Sequence, residues 1–146
     1  MTPPTPPTSP LARRHLLWGW GALFLFATVG MGLETLHGFK IGFYLDVGNE
    51  TRRLVWTLAH THGVLLGLIN VAAALCLRAW PDAEARWRGG SALLLAGTAL
   101  MPAGFLLGGI WIHGGDPGLG VLLVPPGALC TVASLALALR AFRGTA

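Results

Sequence analysis

Apolar residues in this chain gather into four long runs instead of short alternating or one-sided segments. The runs cover about 16–37, 54–77, 91–113 and 121–139, each near the ~20 residues with which a helix crosses a ~30 Å hydrocarbon core. The pattern predicts an all-α integral membrane protein: a four-helix bundle, up-down-up-down, forming one domain over 13–146. The proline-rich segment 1–12 offers neither helix nor core and is expected to be a disordered tail.

Helical phase then sorts the polar residues. In the second span Thr57, His60, Gly63, Gly67, Asn70 and Ala74 recur at steps of three and four, a stripe of small or polar side chains that predicts an inward face. His60 belongs to it, whereas His62 lies about 200° around the helix and is expected to meet lipid, a partner subunit or a flat ligand. Gly63 and Gly67 make a GxxxG pair, which permits close helix approach. The first span carries Leu23, Ala27, Gly30, Glu34 and His37 at similar steps, and the third Leu95, Ala99, Pro102, Leu106, Gly109 and His113. Pro102 and Pro125-Pro126 are expected to bend their helices, because proline removes a backbone donor.

Composition narrows the class further. With 53% hydrophobic and 11% charged residues and a mean hydropathy of +0.63, a soluble domain is excluded. Arg13, Arg14, Arg78, Arg86, Arg88, Arg140 and Arg143 fall on one side of the spans and Lys40, Arg52 and Arg53 on the other. Cytoplasmic flanks keep the excess of basic residues, so both termini are expected to be cytoplasmic, in a bacterial inner membrane. Trp18, Trp20, Trp80 and Trp87 would mark the inner interface and Trp56 and Trp111 the outer one. The net charge of +4 is dispersed as topology signals, so no nucleic-acid partner is expected; the partners implied are the lipid bilayer and other membrane subunits or further copies of the chain. Cys76 and Cys130 read as small packing residues. Arg13-Arg14 before an apolar run resembles a signal peptide, but the run is too long and is expected to be retained.

Between the spans, 38–53 reads as an ordered turn or interfacial helix capping the bundle, 81–90 as a short polar inner loop and 114–120 as a tight glycine-rich turn.

Candidate chemistry collects at the outer end. Counting ~1.5 Å of rise per residue places Glu34, His37 and His113 within about 5 Å of the outer boundary and His60 about 8–10 Å below it. Ionisable groups at such depth are costly and mark functional sites. Imidazole suits iron, copper and zinc, and bundles hold cofactors with inward side chains from several helices. The candidate metal set is Glu34, His37, His60 and His113. A heme held by histidine would draw on His60, His62, His37 and His113. The duller readings are that His37 and His113 are interfacial, that Glu34 pairs with Lys40, Arg52 or Arg53, and that Asn70 bridges helices. His15, beside Arg13 and Arg14, is expected to carry no chemistry. A proton or solute pathway through Glu34 and Asn70 finds no inverted repeat to support it. Nothing in the chain pairs a nucleophile with a base or forms a phosphate loop, so no independent catalytic activity is expected.

The segment AHTHGVLLG, residues 59–67, resembles the A-H-x-H-x-x-x-L-G motif of small four-helix membrane proteins related to the heme-copper oxidase and NnrS-like families. The resemblance covers about twenty residues and implies b-type heme or copper binding on the outer side through His60 and His62. The six histidines of an oxidase core and the paired histidines of its copper centre are absent from this sequence. What the resemblance implies is therefore one heme, metal handling or electron transfer, or an accessory subunit of a larger bioenergetic or transport complex.

Overall fold

In a computed structural model, which describes residues 9–143, four long helices alternate in direction. They are α1 (Pro10–Gly38), α2 (Thr51–Ala79), α3 (Ala83–Gly108) and α4 (Val124–Phe142), the last preceded by the 3-10 turn Leu119–Leu123. By length and composition each, α4 together with its 3-10 turn, is able to cross a membrane. At 29 residues, α1 and α2 are about 43 Å long, longer than a ~30 Å hydrocarbon core.

Glycines set the helix pairing. Gly19 lies against Gly67 and Val71, Phe26 sits over Gly63, and Gly30 lies under the ring of His60, so α1 and α2 run antiparallel in close contact. On the other side Gly97 meets Thr131 and Gly127 meets the backbone of Met101, which brings α4 antiparallel onto α3. Without lipid-excluding pressure between helices, such close approach is what gives membrane helices their packing energy. Between the two pairs, α2 packs on α3, where Leu66, Leu94 and Met101 belong to the buried apolar cluster. The termini share one end: His15 near the start of α1 reaches Ser91 on α3, and Arg86 of α3 reaches Ala141 at the end of α4.

Local chemistry explains the helix limits. Ser9 caps α1 by accepting from the Ala12 N–H at 3.1 Å, and Pro10 takes the first helical position, where its missing N–H costs nothing. The expected tail 1–12 therefore yields residues 10–12 to α1, while 1–8 lie outside the described residues. Likewise Pro125-Pro126 occupy the first turn of α4, so they start that helix instead of bending its interior. Pro102 is inside α3 and buried. The loop expected at 81–90 shrinks to 80–82, because α3 begins at Ala83. Glu84, Arg86 and Arg88 are polar yet helical, since Ala, Glu and Arg are good helix formers.

The third span ends five residues earlier than its hydropathy suggests. Gly109 caps α3, and Ile112–His113 (β1) pairs antiparallel with Asp116–Pro117 (β2). The connecting Gly114 and Gly115 have φ of +58° and +98°, the two left-handed positions of a tight hairpin turn that glycine adopts without strain. Trp111 and Ile112 are apolar enough to extend the run, but α3 stops at the Gly108-Gly109 pair and Ile112 is paired into the hairpin instead.

Residues 39–50 cap this far end as turns, without a helix of their own. The Arg52 guanidinium lies 3.9 Å from the Phe43 ring centroid and donates to the Phe43 and Gly109 carbonyls at 2.7 and 2.9 Å. Trp56 donates to the Leu106 carbonyl at 2.9 Å and stacks on buried Tyr44. One cationic side chain thus satisfies backbone acceptors from the connecting loop and from the end of α3.

Candidate functional site

Two polar sites emerge, one near each end of the bundle. At the end carrying the termini, His15 is wholly buried, contrary to the expectation of a bystander at the interface. Its Nδ1 is 2.7 Å from Asn70 Oδ1 and its Nε2 2.7 Å from Ser91 Oγ. Asn70 Nδ2 donates to the Leu66 carbonyl and to Thr98 Oγ1, both at 2.8 Å, and Thr98 donates to the Leu94 carbonyl.

For a neutral imidazole the hydrogen-bond partners fix every orientation. Carbonyl oxygens only accept, so the Asn70 amide group points its nitrogen at Leu66 and Thr98 and its oxygen at His15. His15 Nδ1–H then donates to Asn70, and Ser91 O–H donates to Nε2 of a neutral ring. Every polar atom is used, and three helices are joined. The Trp87 ring stacks on the imidazole at 5.3 Å and donates to the Ser134 carbonyl, while Ser134 donates to the Gly90 carbonyl at 2.6 Å. Trp87, expected to mark the interface, is 2% exposed and links this network to α4.

The second site lies toward the far end, between α1 and α2. His60 Nδ1–H donates to the Phe26 carbonyl at 2.7 Å, and the ring rests on Gly30, where an added Cβ would collide with Cε1. His60 faces α1, as its phase predicts. Its Nε2 makes no hydrogen bond among the described residues and is not enclosed, since these residues contain no buried side-chain nitrogen or oxygen without a partner. A cavity of about 570 Å³ opens beside it, lined by Ala27, Gly30, Glu34, Tyr44, Thr57 and His60 among others. Glu34 and His60 therefore share one space.

The remaining candidates do not join them. His37 is exposed on the last turn of α1 and does not line the cavity. His113 is exposed on the β-hairpin and not at a helix end, so the stripe drawn from Gly109 to His113 does not exist. His62 does not face outward: it is half-buried, its ring 5.1 Å from that of Phe105 on α3, with Nδ1 bonded to the Leu58 carbonyl at 2.8 Å. The reason is that α2 is a central helix with two interior faces, one toward α1 and one toward α3. Glu34 makes no ion pair among the described residues; Arg53 pairs with Glu50 at 2.7 Å, and Arg52 is engaged by backbone carbonyls. Among the described residues, no three His, Cys, Asp or Glu side chains come together as a metal-ligand group. Cys76 and Cys130 are free, half-buried thiols.

The His15 network was legible in one respect. His15, Gly19, Ala22, Phe26, Gly30 and Leu33 follow steps of four and three, a stripe rotated from the one drawn through Glu34 and His37. Starting the first span at residue 16 concealed it.

No protein-family model matches this chain, and neither a curated protein nor a solved structure matches it.

Proposed function

We propose that this chain is an integral protein of a bacterial cytoplasmic membrane, with both termini inside. In this reading it holds heme b or a transition-metal ion in the cavity beside His60, in electron transfer or metal handling. The observation that supports this is the anchoring of His60: Nδ1–H is tied to the Phe26 carbonyl, which leaves Nε2 as the unprotonated, unpartnered nitrogen. Metal-ligating histidines are oriented in this manner by a backbone carbonyl on the other ring nitrogen. Glu34 on the same cavity supplies an oxygen donor, and one imidazole with one carboxylate suits copper, iron or zinc. His60 would hold a heme iron, or His60 and Glu34 a metal ion, and the metal would supply the redox or Lewis-acid chemistry. His37, His62 and His113 take no part at this cavity.

The test is purification of the full chain from bacterial membranes in mild detergent, followed by a reduced-minus-oxidised spectrum and metal analysis. A heme band or stoichiometric metal is expected, lost in His60→Ala and kept in His37→Ala and His113→Ala. Folded protein with neither heme nor metal would overturn the assignment.

The second reading is a non-catalytic accessory subunit of a larger membrane complex. It is favoured by the large apolar side chains that α1 and α4 leave uncovered, such as Phe24, Met31, Leu129 and Val132. Retention of a larger assembly through purification, with no cofactor, would select it.

A further inference from the structure

Two cavities on the outside of α1 adjoin each other, sharing two lining residues. The first, of about 260 Å³, lies at the end carrying the termini and is lined by Pro10, Arg13, Arg14, Leu17 and Trp18. The second, of about 450 Å³, is an apolar groove between α1 and α3. Leu17 and Trp18 line both. Along α1, Arg14 of the first is followed by Leu17, Trp18, Gly21 and Leu25 of the second, which is closed on the other side by Ala99 and Ala103 of α3. The groove exists because α1 packs on α2 and barely on α3, leaving small residues opposite each other with nothing between. At Gly21 an added Cβ would meet no atom within 4 Å.

The chemistry of this composite space is that of an amphiphile. Its mouth carries two guanidiniums, neither of them in an ion pair among the described residues. Its body is apolar, and from Arg14 at the mouth to Leu25 the space follows about 16 Å of helix, roughly half of a hydrocarbon core and so the depth of one leaflet. Basic pockets at the interface bind anionic headgroups, and arginine offers paired donors to phosphate oxygens. Trp18 sits at the junction, where an indole ring favours the interface. We infer that this groove is a binding site for one anionic phospholipid, with its phosphate at Arg13 and Arg14 and an acyl chain lying between α1 and α3. The inference is independent of the cavity beside His60, which is on the opposite half of α1.

The experiment is native mass spectrometry of the purified full chain titrated with phosphatidylglycerol or phosphatidylcholine, with unfolding midpoints measured on the same samples. One phosphatidylglycerol is expected to bind, about tenfold tighter than phosphatidylcholine. Arg13→Gln with Arg14→Gln should remove that preference, whereas Arg78→Gln, at the same end but outside the cavity, should leave it. Gly21→Leu should fill the groove and weaken both lipids while the protein stays folded, since the new side chain enters open space. Equal affinity for the two lipids would overturn the assignment, and so would a double arginine variant that binds normally. Displacement by inorganic phosphate, with Gly21→Leu unaffected, would show an anion site without an acyl chain and equally overturn it.

Discussion

His15 and His60 are both histidines on interior helix faces, yet their surroundings differ in one decisive respect. Both nitrogens of His15 are engaged, by Asn70 and Ser91, and the ring is covered by Trp87. His60 has one nitrogen engaged and one free beside a cavity. A satisfied buried network specifies how helices meet, because any slippage orphans a polar group in a medium with no water to replace the partner. A half-satisfied histidine beside open space instead keeps the capacity to bind. The same residue type is therefore fully satisfied at one end of the bundle and half-satisfied toward the other.

The sharpest way to break this contrast is Asn70→Ala. The substitution leaves His15 Nδ1 without its acceptor and Thr98 without its amide donor, and it opens a void between three helices. Orphaned buried groups cost about 1–3 kcal/mol each, although alternative partners in membranes reduce such penalties. A loss of about 2 kcal/mol is expected in reversible unfolding from mixed micelles. A change below about 0.5 kcal/mol, the range of ordinary surface substitutions, would show that the network does not hold the helices. Ser91→Ala is milder: it removes one hydroxyl from Nε2 and retains the helix, so about 1 kcal/mol is expected in the same assay.

Much of the fold was readable because long apolar runs mark helices able to span a membrane: all four helices fall where the runs do. Their ends were harder. The first turns of α3 are polar, so Ala83–Gly90 read as loop, and Trp111 and Ile112 prolonged an apolar run past Gly108, where α3 ends. Phase was readable for α2, whose glycines face α1 and carry His60 with them. It misled for His62, since a pattern of one inward stripe does not describe a helix with neighbours on two sides. His15 escaped for a different reason. Next to Arg13 and Arg14 it looks interfacial, and only Asn70, Ser91 and Trp87, all distant in sequence, bury it.

The smallest expected effect belongs to His60→Ala when stability alone is measured. The variant forfeits one hydrogen bond to the Phe26 carbonyl. That oxygen keeps a helical partner, because it faces Gly30 within α1 and has two lone pairs. Interhelical side-chain bonds in membranes average about 0.6 kcal/mol, and a partly open site needs less repacking than a sealed one. The unfolding free energy of the cofactor-free protein should therefore fall by about 0.6 kcal/mol, several-fold less than for Asn70→Ala. A loss as large as that of Asn70→Ala would mean that His60 holds α1 against α2, as His15 joins the helices at the other end. The contrast between a structural and a chemical histidine would then collapse. A small loss leaves the free Nε2 as the feature of His60 that structure alone does not require.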